Sequence, residues 1–277
     1  MKSPVRQFEL LRPRTLREAL TMLHNESGLV PLAGGTDLLV LMNAGTLPRG
    51  THRFLDLWGL DELRSIRRTL IGRRPQLVFG ALTTFTDCIS SRTVLRDLPI
   101  LAQAAREVGG PQIQNRGTLG GNIGNASPAA DSLPVLRAAD TELVLSSVAG
   151  ERRIPLADYF TGYRTSVRRS DELITAIEVL VPPGKQSFRK VGTRAAQAIS
   201  KVVLAAIGKR IALGSVAPTV VRATSVERYL AAGGSEFETA RELLTDDIHP
   251  IDDIRSTAAY RLRVAQNLLG QLPTFQR

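Results

Sequence analysis

Apolar residues recur along this chain with two periods, and the changes between them mark its elements. Over 15–24 the spacing is helical: Leu16, Ala19, Leu20 and Leu23 share a face, Thr15 is placed to cap, Glu18 holds the capping-box position and Gly28 stops the run. Residues 29–33 read as a short buried strand. Gly34 and Gly35 then make a tight turn, and Thr36 is predicted to cap a helix through 42. Strands are predicted at 54–57 and 77–81, followed by a helix capped by Thr83 or Thr84 and running to 90. A helix over 98–108 puts Leu98, Leu101, Ala102, Ala105 and Val108 on one face, with Gly109 as its stop. A helix over 129–139, a strand over 141–148, a return strand over 152–155 and a strand over 173–181 follow. Pro182, Pro183 and Gly184 break the chain, which divides it into 1–182 and 183–277. In the second part, strands at 188–191, 200–207 and 211–216 precede helices at 225–232, 236–244 and 251–269. The last helix places Ala258, Leu262, Ala265 and Leu269 on one face, with Tyr260 and Arg261 off it.

One stretch has neither period. Residues 109–131, GGPQIQNRGTLGGNIGNASPAAD, hold six glycines, three asparagines and two prolines, too little apolar bulk for a core. The stretch reads as a long ordered loop whose backbone comes close to something. Pro31-Leu-Ala-Gly-Gly-Thr-Asp-Leu38 echoes it. A strand, a Gly-Gly turn and a helix start aim backbone N–H groups at one point, as an anion site requires. Either turn alone is also what a tight corner needs. Two of them, each followed by Thr or Asn and an apolar residue, point to two halves of one anion cradle, without naming the anion.

Composition narrows the class. With 43% apolar and 22% charged residues, 277 residues suffice for one large core or two medium ones. No apolar run reaches the roughly 18 residues of a membrane helix. The N-terminus MKSPVRQFELLRPRT has no apolar signal segment, so a cytoplasmic location is expected. Cys88, the single cysteine, excludes an internal disulfide and a four-cysteine zinc or iron–sulfur site on this chain. The net charge of +10 comes mostly from scattered arginines, among them Arg67-Arg68, Arg152-Arg153 and Arg168-Arg169. It fits a nucleic-acid surface, a solvated basic surface or a docking face for an acidic partner. With no aromatics among the basic pairs, nucleic acid is disfavoured.

Side-chain catalysis finds few candidates. Gly184-Lys185 and Gly208-Lys209 lack the following Ser or Thr of a phosphate-binding Walker loop, and 117–124 has the wrong glycine spacing for a dinucleotide fingerprint. His24, His52 and His249 show no metal-ligand spacing, and no serine sits in a nucleophile elbow. Backbone-rich anion binding without a catalytic side-chain set is what a protein needs when a bound cofactor does the chemistry.

At these residues the chain resembles the flavoprotein (medium) subunit of the molybdenum hydroxylases, the family of xanthine dehydrogenase, carbon monoxide dehydrogenase and the aromatic hydroxylases. The carriers are Ala33-Gly-Gly-Thr-Asp-Leu-Leu39 and Gln112-Ile-Gln-Asn-Arg-Gly-Thr-Leu-Gly-Gly-Asn122, continued by Ala126-Ser-Pro-Ala-Ala-Asp131. Weaker agreement runs through Phe160-Thr-Gly, Asp171-Glu-Leu-Ile174, Phe188-Arg-Lys190, Ala198-Ile-Ser200 and 211–218, over nearly the whole chain. The resemblance implies an α+β fold: a two-subdomain PCMH-type FAD-binding domain, then an antiparallel sheet with helices. It implies FAD with its pyrophosphate across both Gly-Gly turns. Ala33, Gly34, Gly35, Thr36, Asp37 and Leu38 match the first contact stretch, and Thr118, Gly120, Gly121, Asn122 and Asp131 the second. Ile174 falls where an apolar residue packs near the flavin ring, and Lys190 where a lysine approaches the ring's polar edge. On this reading a β-carbon at Gly35 or Gly120 would take the place of a phosphate.

The resemblance further implies an oxidoreductase subunit that transfers electrons rather than hydroxylating substrate. A large molybdopterin subunit would hydroxylate, a small subunit with two [2Fe–2S] clusters would relay electrons, and FAD would pass them to NAD or another acceptor. A dimer of heterotrimers is the implied assembly. A structural or assembly subunit without FAD is the alternative. Two departures stand out. About a dozen residues of the family pattern are missing after Ser200, which predicts a C-terminal sheet one strand short or locally rebuilt, and Gln114 stands where arginine is common.

Overall fold

Three short parallel strands open the fold: β1 (Glu9–Leu11), β2 (Leu29–Leu32) and β3 (Arg53–Asp56), in the order β1-β3-β2. The helix Leu16–Asn25 carries the chain from β1 to β2, which flank β3, because strands that run parallel in one sheet need a long connection. Its Thr15 cap forms as predicted, with Oγ1 accepting from the Glu18 N–H at 3.1 Å. Ala19, Leu20 and Leu23 bury against Leu29, Leu55 and Leu57 in a small core of their own. The computed structural model describes residues 8–195 and 197–276. Residues 1–7, where the reading of the N-terminus begins, lie outside the described residues.

The second lobe is a five-stranded antiparallel sheet. Its strands are β4 (Ile66–Ile71), β5 (Arg74–Gly80), β6 (Glu142–Ser147) and β7 (Gly150–Pro155), then, past a small hairpin of β8 (Phe160–Gly162) and β9 (Thr165–Ser166), β10 (Leu173–Leu180). They lie in the order β4-β5-β10-β6-β7. The helices Phe85–Ser90, Arg92–Asp97, Pro99–Arg106 and Ser132–Ala138 bury Leu101, Ala105, Leu133 and Leu136 against Leu77, Phe79, Leu143 and Ile177. Thr84 caps the first of these in a capping box with Asp87.

The C-terminal part is a four-stranded antiparallel sheet, β11 (Gln186–Val191), β12 (Val202–Ile207), β13 (Arg210–Gly214) and β14 (Val221–Arg222), adjacent in that order. The region after Ser200 is built as a β12–β13 hairpin that turns at Gly208, where φ is +58°. All six residues of β12 are buried. Val203, Ala205 and Ile207 face the core of the second lobe. Val202, Leu204 and Ala206 face a core built with the helices Thr224–Ala231, Phe237–Asp247 and Ala258–Gly270.

Several predicted elements differ. The glycine-rich stretch is not all loop: it holds the short helices Pro111–Gln114 and Leu119–Gly124, the second capped by Thr118. The helix after Gly35 starts at Leu38, with Asp37 at its N-cap and no side-chain cap, so Thr36 does not cap it. The last helix starts at Ala258 rather than 251. Asp253 Oδ1 accepts from the N–H groups of Arg255 and Ser256 and fixes a turn there instead. Arg261, expected off the buried face, is buried.

Candidate cofactor-binding site

Where the lobes meet lies a half-open cavity of about 670 Å³. Every site residue expected from sequence except Lys190 lines it: Ala33 to Leu38, Thr118, Gly120, Gly121, Asn122, Asp131 and Ile174. A volume of this size lies within the roughly 300–1,000 Å³ of small-molecule sites.

The two Gly-Gly turns do different work. Among the described residues, the N–H groups of Gly34, Gly35, Thr36 and Asp37 have no protein acceptor. They are open donors on the cavity wall, where unpaired polar groups are costly unless water or a ligand meets them. In the second turn the donors are taken. Leu119 N–H goes to Thr83 O and Gly120 N–H to Ala81 O, each at 2.9 Å, while Gly121 N–H goes to Thr118 Oγ1 at 3.0 Å. Accordingly, a β-carbon at Gly120 would meet Ala81 at 2.7 Å, not the cavity. At Gly35, where φ is +76°, it would meet Leu39 at 3.2 Å. At Gly120 the glycine therefore permits close approach of the second turn to Ala81, whereas at Gly35 it is the left-handed backbone that favours glycine. Gly34 touches the second lobe directly: its β-carbon would lie 1.7 Å from the Arg116 carbonyl oxygen. The Arg116 guanidinium reaches back over the Trp58 ring at 3.5 Å, and Arg64 covers that ring at 3.9 Å, so the same residue joins the lobes twice.

Asp131 closes one end of the cavity. It is buried, and its Oδ2 accepts from Lys190 Nζ at 2.8 Å and its Oδ1 from Ser200 Oγ at 2.5 Å. Lys190 stands behind it and also donates to Glu107 O at 3.0 Å. Burial pushes the Asp131 carboxyl above its ordinary range, against the opposing pull of the Lys190 ammonium and the Ser200 hydroxyl. Ile174, at the start of β10, supplies apolar wall nearby.

Three arginines that the sequence shows only as part of its scattered basic charge also line the cavity: Arg164, Arg168 and Arg255. Arg164 donates to Asn125 Oδ1 at 2.9 Å, and Arg168 to the carbonyls of Arg169 and Glu172. Glu172 organises their segment. It takes Arg152 through two bonds, at 2.6 and 2.8 Å, and the Arg169 N–H at 2.8 Å. The Arg152 hydrogen bond holds its carboxyl below the ordinary value of 4.5. A lowered folded-state value contributes stability that is present above the unfolded value and lost as pH falls through the folded one. Glu172→Gln is therefore expected to lower the urea midpoint at about pH 7 and to flatten its fall toward about pH 3, as unfolding at both ends checks. Equal acid slopes in variant and parent would remove Glu172 from that role.

Ser200 is the other residue missed. It belongs to the run Ala198-Ile199-Ser200, but its role depends on Asp131, far off in sequence. Among the described residues no cluster of His, Cys, Asp and Glu is arranged to hold a metal, and no helix is long and apolar enough to cross a membrane.

Comparison with known proteins gives the following. Residues 6–182 match the family described as the FAD binding domain in molybdopterin dehydrogenase, and residues 187–272 the CO dehydrogenase flavoprotein C-terminal domain. The glyceraldehyde dehydrogenase medium chain of Sulfolobus acidocaldarius is 32% identical over 274 residues, 95% of either chain. The carbon monoxide dehydrogenase medium chain of Hydrogenophaga pseudoflava is 30% identical over 280 residues, covering 95% of this chain and 94% of that one. Among solved structures, a carbon monoxide dehydrogenase from Hydrogenophaga pseudoflava superposes with a TM-score of 0.85 at 29% identity, over 97% of this chain and 96% of that one. Quinoline 2-oxidoreductase from Pseudomonas putida 86 gives 0.86 at 26%, over 97% and 95%.

Proposed function

This chain belongs to the FAD-binding medium subunits of the molybdenum hydroxylases, and on that premise we propose that it moves electrons between a partner's clusters and an acceptor through FAD held in the cavity. The observation that carries the reading is the row of open N–H donors at Gly34 to Asp37 on the wall of a 670 Å³ cavity. A pyrophosphate needs several such donors and close backbone approach. The residues present fit the cofactor. The donors would hold its phosphates, and Arg164, Arg168 and Arg255 would add positive potential. Asp131, held in place by Lys190 and Ser200, would supply an acceptor, and the apolar Ile174 and Leu173 on the cavity wall would exclude water. FAD takes up electrons singly or in pairs, and so links one-electron clusters to a two-electron acceptor.

The rest of the proposal concerns the assembly. Hydroxylation takes place on a large molybdopterin subunit, a small subunit carries two [2Fe–2S] clusters, and NAD or another acceptor takes the electrons. The complex is a cytoplasmic dimer of heterotrimers. Within this chain, 1–182 binds FAD, and 183–277 buttresses Asp131 through Lys190 and Ser200. The medium-chain names of the relatives support partner subunits, and the single cysteine supports clusters on another chain. The first test is the visible spectrum of the purified protein, with the released cofactor identified by mass. One FAD per chain is expected. A colourless protein that stays so after reconstitution with its partner subunits present would instead favour a structural subunit without FAD.

A further inference from the structure

Arg261 is a buried charge that the cavity does not use directly. It sits on the C-terminal helix Ala258–Gly270 with its side chain 5% exposed. Its Nη1 donates to the carbonyls of Ser215, at 2.8 Å, and Lys201, at 3.1 Å, and its Nη2 to Asp253 Oδ1 at 2.7 Å. A buried guanidinium loses water that its partners must offset, and here two of its three partners, Ser215 and Asp253, lead back to the cavity.

One route runs through the sheet. Ser215 Oγ donates to Ser200 O at 3.1 Å and Ser215 N–H to Pro128 O at 2.8 Å. Ser200 Oγ in turn holds Asp131 at the cavity end. The other route is short. Asp253 Oδ1, besides taking Arg261, accepts the N–H groups of Arg255 and Ser256 at 2.8 and 3.1 Å, which fixes the turn that brings Arg255 to the cavity wall. Arg261 is where the two routes meet.

We propose that Arg261 is a positioning residue for the cofactor site: it locks the Asp131 wall and the Arg255 wall of the cavity to each other from the far side of the C-terminal sheet. The proposal rests on the reading that FAD occupies the cavity. Only arginine serves here, since its planar fork reaches two carbonyls and a carboxylate at once, while a lysine ammonium is a single point charge.

Two variants of the full chain test it, Arg261→Lys and Asp253→Asn. Asp253 is partly exposed, so its variant spares the core. Amide hydrogen exchange of the protein without added FAD comes first. In Arg261→Lys, segments 128–131 and 253–256 are expected to lose protection together. Loss in one segment alone, or in neither, overturns the proposal whatever the cavity binds. FAD titration of the stripped protein comes second, with flavin visible circular dichroism as its signature. Both variants are expected to bind about tenfold more weakly and with an altered flavin signal, a change of about 1.4 kcal/mol. Parental affinity and signal in both would reduce Arg261 to a structural role. A parent protein that binds no FAD would instead count against the proposed function and leave the exchange result to stand.

Discussion

Gly34→Ala is expected to give a protein that retains no FAD. The new methyl would lie 1.7 Å from the Arg116 carbonyl oxygen and 2.5 Å from its carbon. Both are backbone atoms of a segment held by Gly117 N–H on Ile113 O and by Phe85 N–H on Gly117 O, so no side chain can swing aside. The lobes must part by more than an ångström, which moves the open donors of 34–37 away from the opposite wall. Overpacking of this kind costs about 1–3 kcal/mol where side chains yield, and more where backbone must move. Flavin absorbance per chain after purification, with urea unfolding alongside, reads both effects. Gly59→Ala is the control: a β-carbon there meets nothing within 4 Å, and flavin content should be unchanged. Full flavin occupancy in Gly34→Ala would mean that the contact between the lobes does not shape the cradle.

Lys190→Met should be the most destabilising single change outside the glycines. It removes the ammonium from Asp131 and leaves a buried carboxylate with the Ser200 hydroxyl alone. Breaking a buried pair this way costs about 3–5 kcal/mol. The sign of the pH dependence follows from Asp131. Burial already raises its folded-state value, and loss of the ammonium raises it further. A raised carboxylate value means the folded state holds its proton more tightly than the unfolded one. The deficit of Lys190→Met is therefore small below the ordinary carboxylate range and grows as pH rises through the raised value. Adding Asp131→Asn to Lys190→Met should restore most of the stability at about pH 7. Urea unfolding of the four proteins of this cycle decides the matter. A Lys190→Met deficit of about 1 kcal/mol or less, equal at all pH values, would mean that the pair behaves as a surface one.

Local signals were legible in the sequence. Thr15 and Thr84 cap as read, because a cap needs only residues within one turn. The two glycine turns were legible as walls of one site, because glycine is demanded wherever backbone comes close. Which donors stay open was not legible: those of 119 and 120 are taken by carbonyls at Thr83 and Ala81, a pairing set by tertiary contact. The cavity arginines look in sequence like any basic surface; Glu172 and Asp253 carry their segments to the cavity. Arg261 was assigned to the polar face because a helical face is found by counting apolar positions, and a buried arginine counts against its own burial. Strand β4 was missed for the opposite reason. It pairs only with β5 at the sheet edge and stays largely exposed, so it has no alternating pattern.

Strand β12 has a consequence for cooperativity. Its odd-numbered side chains belong to the core of the FAD-binding lobe and its even-numbered ones to the core of the C-terminal helices, so a single strand is the party wall of both. Neither core can be lost while the other stays dry. The two family segments, though separable along the chain, are therefore expected to melt as one unit. Heat should give one transition rather than two, and cofactor bound near the N-terminal turns should slow amide exchange in helices that never touch it.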